Sequence, residues 1–163
     1  MNETAADLER LQALLDDSIS RATPFLRSSF EMPERSLSAV ALVERLQGSL
    51  TVALATVTAR GEPRVTPIGA LFVHGRFHVP TVAQSARARH LARRPGVSVT
   101  YFEGTTLAVI VHGEAEIIGT GDPRFDELDA VQVAVGNQSP REWSGDAVFL
   151  RVEARSLFTY ART

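Results

Sequence analysis

The spacing of hydrophobic positions changes near residue 48. Before it, Leu8, Leu11, Leu15 and Ile19 recur at the interval of one helix face, and Thr4 followed by Asp7 has the form of a capping box. The pattern predicts an amphipathic helix over residues 5–20, with Asp7, Glu9, Asp16 and Asp17 as its solvated face. Pro24 and Pro33 bracket a mixed stretch, "PFLRSSFEMP". Ser38 then caps a second helix with Val40, Val43 and Leu46 on one face, closed by Gly48. Residues 1–47 therefore read as an N-terminal helical extension and 48–163 as a second unit.

Beyond residue 48 the runs are short and β-branched. "SLTVALATVTARGEPRVTPIGALFVHGRFHVPT" contains turn signals at Arg60-Gly61-Glu62 and His74-Gly75-Arg76, which makes a three-strand meander. Pro67 inside the second strand calls for a sheet edge or a bulge. "SARARHLARRP" is a short helix capped by Ser85, and two strands follow it, turning at Glu103-Gly104. Gly113 marks a bulge in the second of these, as in closed sheets. Asp122-Pro123 starts a helix with Phe125, Leu128, Val131 and Val135 as its buried stripe, and "AVFLRVEARSLFTYA" is the last strand. Six strands with short helices, mainly β in an α+β chain, predict a small antiparallel barrel.

Composition removes several chemistries. The 163 residues include no cysteine, so thiolate nucleophiles, disulfides and cysteine–zinc sites are excluded. All 17 basic residues are arginine, which excludes a lysine Schiff base and covalently held pyridoxal phosphate. A net charge of −2 gives no general attraction to nucleic acid or membrane. The polar, acidic N-terminus carries no secretory signal and the longest apolar run is too short for a bilayer, so a cytoplasmic protein is expected. His74 and His78 flank Gly75, but no third ligand has suitable spacing and no metal is expected. His112 alternates with Glu114 and Glu116 on what reads as a polar sheet face. Trp143, in the turn-rich "GNQSPREWSGD", reads as closing the barrel end.

One helix is charged against its dipole. With Ser85 as N-cap, Arg87 is the second helical residue, and a cation there is unfavourable by a few tenths to about 1 kcal/mol. A bound anion reverses that sign, because free N–H groups and the positive dipole end already attract it. A guanidinium adds bidentate phosphate recognition, and Thr81 at the preceding strand end can add a hydroxyl. Thr81, Ser85 and Arg87 thus form a candidate phosphate cradle. Arg89 and His90, on the following turn, are further ligand candidates, while Arg93 and Arg94 suit the helix C-terminus.

Three blocks, "LATVTARGEPRVTP", "GRFHVPTVAQSARARHLARRPGVSV" and "VIVHGEAEII", in this order and spacing, resemble the flavin-binding split β-barrel family related to pyridoxamine 5′-phosphate oxidase. The resemblance covers about Leu50 to Ile118, with a closing strand at Ala147 to Tyr160. It implies a six-stranded antiparallel split β-barrel, and a homodimer with FMN or a related cofactor in clefts at the subunit interface. It places the cofactor phosphate at Thr81, Ser85 and Arg87, and the ring against Val65, Thr66 and Pro67. It implies a flavin-dependent oxidoreductase acting on a small organic substrate. The chain departs from the oxidases themselves: Arg64 is displaced, Ala86 replaces a basic residue, no lysine follows on the second strand, and the C-terminus reads "FTYART". Oxidation of pyridoxamine phosphate is therefore not expected. The departures keep a deazaflavin coenzyme or haem open as the cofactor, held by a carrier without turnover.

Overall fold

The computed structural model describes residues 2–162. Three helices lead: α1 (Ala5–Arg21), α2 (Pro24–Ser29) and α3 (Ala39–Arg45). They are followed by β1 (Leu50–Val57), β2 (Pro63–Val73), β3 (Arg76–Val82), α4 (Ala86–Arg93), β4 (Gly96–Glu103), β5 (Leu107–Gly119), α5 (Pro123–Ala134) and β6 (Ala147–Ala161). The six strands close into an antiparallel barrel in the order β1-β2-β3-β6-β5-β4. No helix among the described residues is long and apolar enough to cross a membrane.

The capping signals act where the sequence places them. Thr4 Oγ1 accepts the Asp7 N–H at 3.1 Å, and the Asp7 carboxylate accepts the Thr4 N–H at 2.9 Å. Ser38 and Ser85 accept from Ala41 and Ala88 at the starts of α3 and α4. The mixed stretch holds a helix that periodicity does not reveal: Thr23 caps α2, whose six residues are too few to establish a stripe. Val43 and Leu46 are buried as expected, but Val40 is exposed and Ala39 and Leu42 are buried in its place.

Two turns show why the strands end where they do. His74 and Gly75 both adopt positive φ, at 54° and 71°, and together form the two-residue connection between β2 and β3. Pro67 pairs with Ala53 of β1, and only Leu71–Val73 of β2 pair with β3. The first half of β2 is thus a sheet edge, where a missing N–H leaves no bond unmade. The register between β5 and β6 slips at His112/Gly113, leaving Arg155 of β6 without a ladder partner. A Cβ on Gly113 would stand 2.0 Å from the Glu153 carbonyl oxygen, so this close approach excludes any side chain.

Alternation sorts the side chains into two cores. Val52, Leu54, Phe77, Val79, Val99, Val109, Leu150 and Val152 fill the barrel, and Leu11, Leu15, Leu42, Val43 and Leu46 of the N-terminal helices belong to the same cluster. The apolar stripe of α1 is therefore covered within its own chain. Ser18, fully buried, seals the contact by accepting the Leu157 N–H at 2.9 Å. The second core lies outside the barrel, where Leu71, Val73, Ile118 and Phe149 meet Phe125 and Leu128 of α5. Phe125 and Phe149 pack edge to face with centroids 5.0 Å apart.

Candidate functional site

β3 ends at Val82, and a three-residue loop leads into α4, which brings Thr81, Ser85 and Arg87 together. Thr81 Oγ1 donates to Ser85 Oγ at 3.2 Å and accepts from Arg87 Nη1 at 3.1 Å. Ser85 Oγ also accepts the Ala88 N–H, which fixes its rotamer. Arg87 Nε is buried and has no hydrogen-bond partner among the described residues. An unpaired buried donor of a charged group costs about 1–3 kcal/mol or more. This one sits at a helix start, where N–H groups also lack intrahelical partners.

Arg87 and Thr81 open onto a cavity of about 480 Å³. One wall is Ile68, Gly69 and Ala70 of β2; the facing wall is Gln132 of α5 with Asn137, Gln138 and Trp143 of the segment before β6. One hydrogen bond ties that segment to Ser49 and another closes it on itself. Asn137 Nδ2 donates to Ser49 Oγ at 3.0 Å, and Trp143 Nε1 donates to Gln138 Oε1 at 3.1 Å. Trp143 is 44% exposed, so its indole lines the cavity mouth more than it closes the barrel.

The other expected ligand residues lie elsewhere. Arg89 and His90 line a separate cavity of about 420 Å³ with Arg93 and Arg94. His90 Nδ1 is 2.9 Å from the hydroxyl of Thr56, a buried residue of β1, which turns the ring away from Arg87. Val65, Thr66 and Pro67 lie on the exposed edge half of β2, and Val65 is 67% exposed. Within this chain the strand meets the Arg87 cavity three residues later, at Ile68 to Ala70. Gly69 and Ala70 did carry a signal: two small residues in a strand leave room, and a Cβ on Gly69 would meet nothing within 4 Å. Asn137 and Gln138 gave none, since their place depends on how α5 packs. Arg64 is exposed and paired with Glu62 at 2.9 Å.

Comparison with known proteins places the fold. The family model for pyridoxamine 5′-phosphate oxidase matches residues 39–160. The chain belongs to that family. No curated protein matches it in sequence. Among solved structures, a conserved hypothetical protein from Mycobacterium tuberculosis is 25% identical with a TM-score of 0.67, covering 79% of this chain and 88% of its own. The haem storage protein HutZ from Vibrio cholerae is 17% identical (TM-score 0.62, 74% and 92% covered). An F420 reductase is 19% identical (TM-score 0.57, 69% and 91% covered). The last two likenesses are of fold. As in the sequence blocks, the pyridoxamine 5′-phosphate oxidase family here provides a flavin-type barrel with one cationic side chain, Arg87, at its strand–helix junction.

Proposed function

We propose that this protein is a flavin-dependent oxidoreductase of the split-barrel type, with the cofactor phosphate held by Thr81, Ser85 and Arg87. The buried, unpartnered Nε of Arg87 carries the reading. A phosphate oxygen supplies the missing acceptor, compensates the cation against the helix dipole, and takes a hydroxyl hydrogen bond from the Thr81–Ser85 pair. The residues present therefore fit a phosphorylated cofactor. When bound, a flavin or deazaflavin supplies hydride transfer to or from a small organic substrate. The chain's own part is binding and exclusion of water: the small Gly69 and Ala70 admit a flat ring, and Trp143 and Gln138 bound the opposite side. No carboxylate among the described residues lines this cavity, which suits a hydride site more than proton abstraction.

Two copies would complete the pocket. The free edge of β2, with Val65 exposed, is where a second copy would lay its surface against the ring side, giving a homodimer with two shared clefts. FMN is the first candidate cofactor. A deazaflavin is the alternative that Ala86 supports, since a single guanidinium stands where the oxidases carry a pair of cations. Haem is the weaker alternative. His78, His90 and His112 all lie outside the Arg87 cavity, which leaves a haem there without a histidine ligand from this chain.

The absorption spectrum of the purified protein tests the reading. A flavin doublet or a deazaflavin band supports it, and reduction by NAD(P)H or reduced deazaflavin then tests turnover. A Soret band assigns the haem branch. A colourless protein that fails to take up added FMN or deazaflavin overturns the proposal.

A further inference from the structure

A buried polar side chain stands where α5 needs an apolar one. Phe125, Leu128 and Gln132 are the buried residues of this helix, one stripe at helical spacing. The first two enter the second core with Ile118 and Phe149. Gln132, one turn further, is 4% exposed and lines the Arg87 cavity instead. Val131 and Val135, expected on this stripe, are partly buried against the same core. A glutamine buried at the end of an apolar stripe is unfavourable unless both ends of its amide are met.

The protein meets one end. Gln132 Nε2 donates to the Gln138 carbonyl at 3.4 Å, the side chain's one hydrogen bond among the described residues. A carbonyl only accepts, so this contact fixes which way the amide faces. Oε1 is left as an acceptor without a protein donor. Its neighbours on the wall are engaged elsewhere. Gln138 accepts from Trp143 Nε1 and donates to Glu142 at 2.9 Å, and Asn137 is tied to Ser49. Arg87 is the one charged residue among those that line the cavity. The space therefore offers a cationic donor with Nε unmet and, on the helix side, a neutral acceptor.

We propose that Gln132 is a specificity residue of this cavity, its Oε1 accepting a hydroxyl hydrogen bond from the carbon chain next to a phosphate held by Arg87. The site then takes the phosphate of a polyol chain in preference to that of a plain alkyl chain. This rests on the phosphate cradle proposed above and deepens it. A phosphate monoester at Arg87 puts its own first carbons into the space of about 480 Å³ that Gln132 lines. A chain that fills the space displaces the water that would solvate Oε1. A methylene gives no bond in return, whereas a hydroxyl restores it. Flavin and deazaflavin coenzymes both carry a hydroxylated chain between phosphate and ring. Haem carries carboxylates and no donor at neutral pH, so the same oxygen disfavours it.

The experiment titrates two ligands into the full-length protein: FMN, and its analogue in which an unhydroxylated five-carbon chain joins ring to phosphate. Where the absorption spectrum assigns a deazaflavin, the same pair is made on that ring. The parent is expected to bind FMN roughly tenfold more tightly than the deoxy analogue, the order of one hydrogen bond. Gln132→Leu is expected to lower FMN affinity roughly tenfold, to bind the analogue as the parent does, and to melt no lower than the parent, because leucine suits the stripe. Arg87→Ala should weaken both ligands by the same factor, which separates the cradle from Gln132. Equal binding of the two ligands by the parent, a comparison that needs no variant, overturns the proposal and leaves the cradle standing. A Gln132→Leu protein that loses both ligands in proportion does the same, and Gln132→Met is read in its place if the leucine variant does not fold. Failure of the parent to bind either ligand overturns the cradle, and this proposal with it.

Discussion

Two clusters of arginine behave in opposite ways. Over the outer face of β3 and β6, beneath α1 and α5, Arg10, Arg76, Arg124 and Arg151 each have an acidic partner. On α4 and its C-cap, Arg87, Arg89, Arg93 and Arg94 form no ion pair with any described acid. The first cluster joins elements distant in sequence. His74 links Asp7 of α1 at 2.9 Å to Glu127 of α5 at 2.7 Å across the β2–β3 turn. The second cluster joins nothing, apart from the short reach of Arg87 to Thr81. Charges that position the fold are neutralised within it, and those of α4 are left open to a ligand of the proposed kind. Removing members of each cluster should therefore affect different quantities.

The largest effect is expected from deleting residues 2–35, which strips Asp7 and Arg10 from the first cluster together with Leu11 and Leu15. Burying two leucines is worth about 3–6 kcal/mol, a large share of a typical domain stability of about 5–15 kcal/mol. The truncated chain should lose its cooperative thermal transition. A truncated protein that melts as the full chain does would show that α1 is an appendage rather than part of the core.

Arg87→Ala comes next and tests the other cluster. Cofactor affinity should fall roughly a hundredfold, or about 2.7 kcal/mol, and its salt dependence should flatten. The cofactor-free protein should lose no stability, because the change removes an unpaired buried donor and a cation opposed to the helix dipole. Asp7→Ala reverses that pattern. It removes the capping-box acceptor and the partners of Arg10 and His74, so denaturant titration should show a loss of about 2 kcal/mol, with cofactor affinity kept. Equal effects of the two variants on both readouts would erase the distinction.

The clasp also gives a pH signature. Burial pushes the Asp7 carboxyl up, but the Thr4 N–H, Arg10, His74 and the Thr4 hydroxyl outweigh it and hold the group well below its usual range. Its contribution is present above the unfolded value of 3.8 and is lost as pH falls. Burial pushes His74 down, but the bonds and charges of Glu127 and Asp7 outweigh it and raise it above its usual 6.5. Its contribution is complete below 6.5 and is lost as pH rises through the folded value. Stability should therefore be greatest in the mildly acidic interval between the two, and His74→Gln should remove the decline on the alkaline side. A parent curve that stays level through neutral pH would mean that His74 is not bound by both acids.

The same division explains what the sequence could reveal. The six strands, the caps at Thr4, Ser38 and Ser85, the edge at Pro67 and the close approach at Gly113 are local chemistry, and each was legible from a few adjacent residues; the pairing of β6 between β3 and β5 was not. So was the grouping of Thr81, Ser85 and Arg87, because Ser85 and Arg87 share one helix start and Thr81 lies at the end of the strand before them. Asp7 was not, since a helix acid looks solvated until a histidine 67 residues away is folded against it. Arg89 and His90 were grouped with Arg87 by helical spacing, but the bond from Thr56 decides where His90 points, and β1 is outside that local window. The wall formed by Asn137, Gln138 and Trp143 depends on the packing of α5, which no spacing rule encodes.

The smallest expected effect is the most discriminating for α4. Arg93 is exposed in the last turn, where a cation favours the helix dipole by about 0.3–1 kcal/mol before salt screening. Arg93→Ala should lower stability by a few tenths of a kcal/mol in low salt and by nothing measurable in high salt. Cofactor affinity should not move, because Arg93 lines the His90 cavity and not the Arg87 cavity. A clear loss of cofactor binding in Arg93→Ala would extend the ligand site along the whole helix. The unpaired arginines of α4 would then act as one surface, and the cradle at Thr81, Ser85 and Arg87 would be only its beginning.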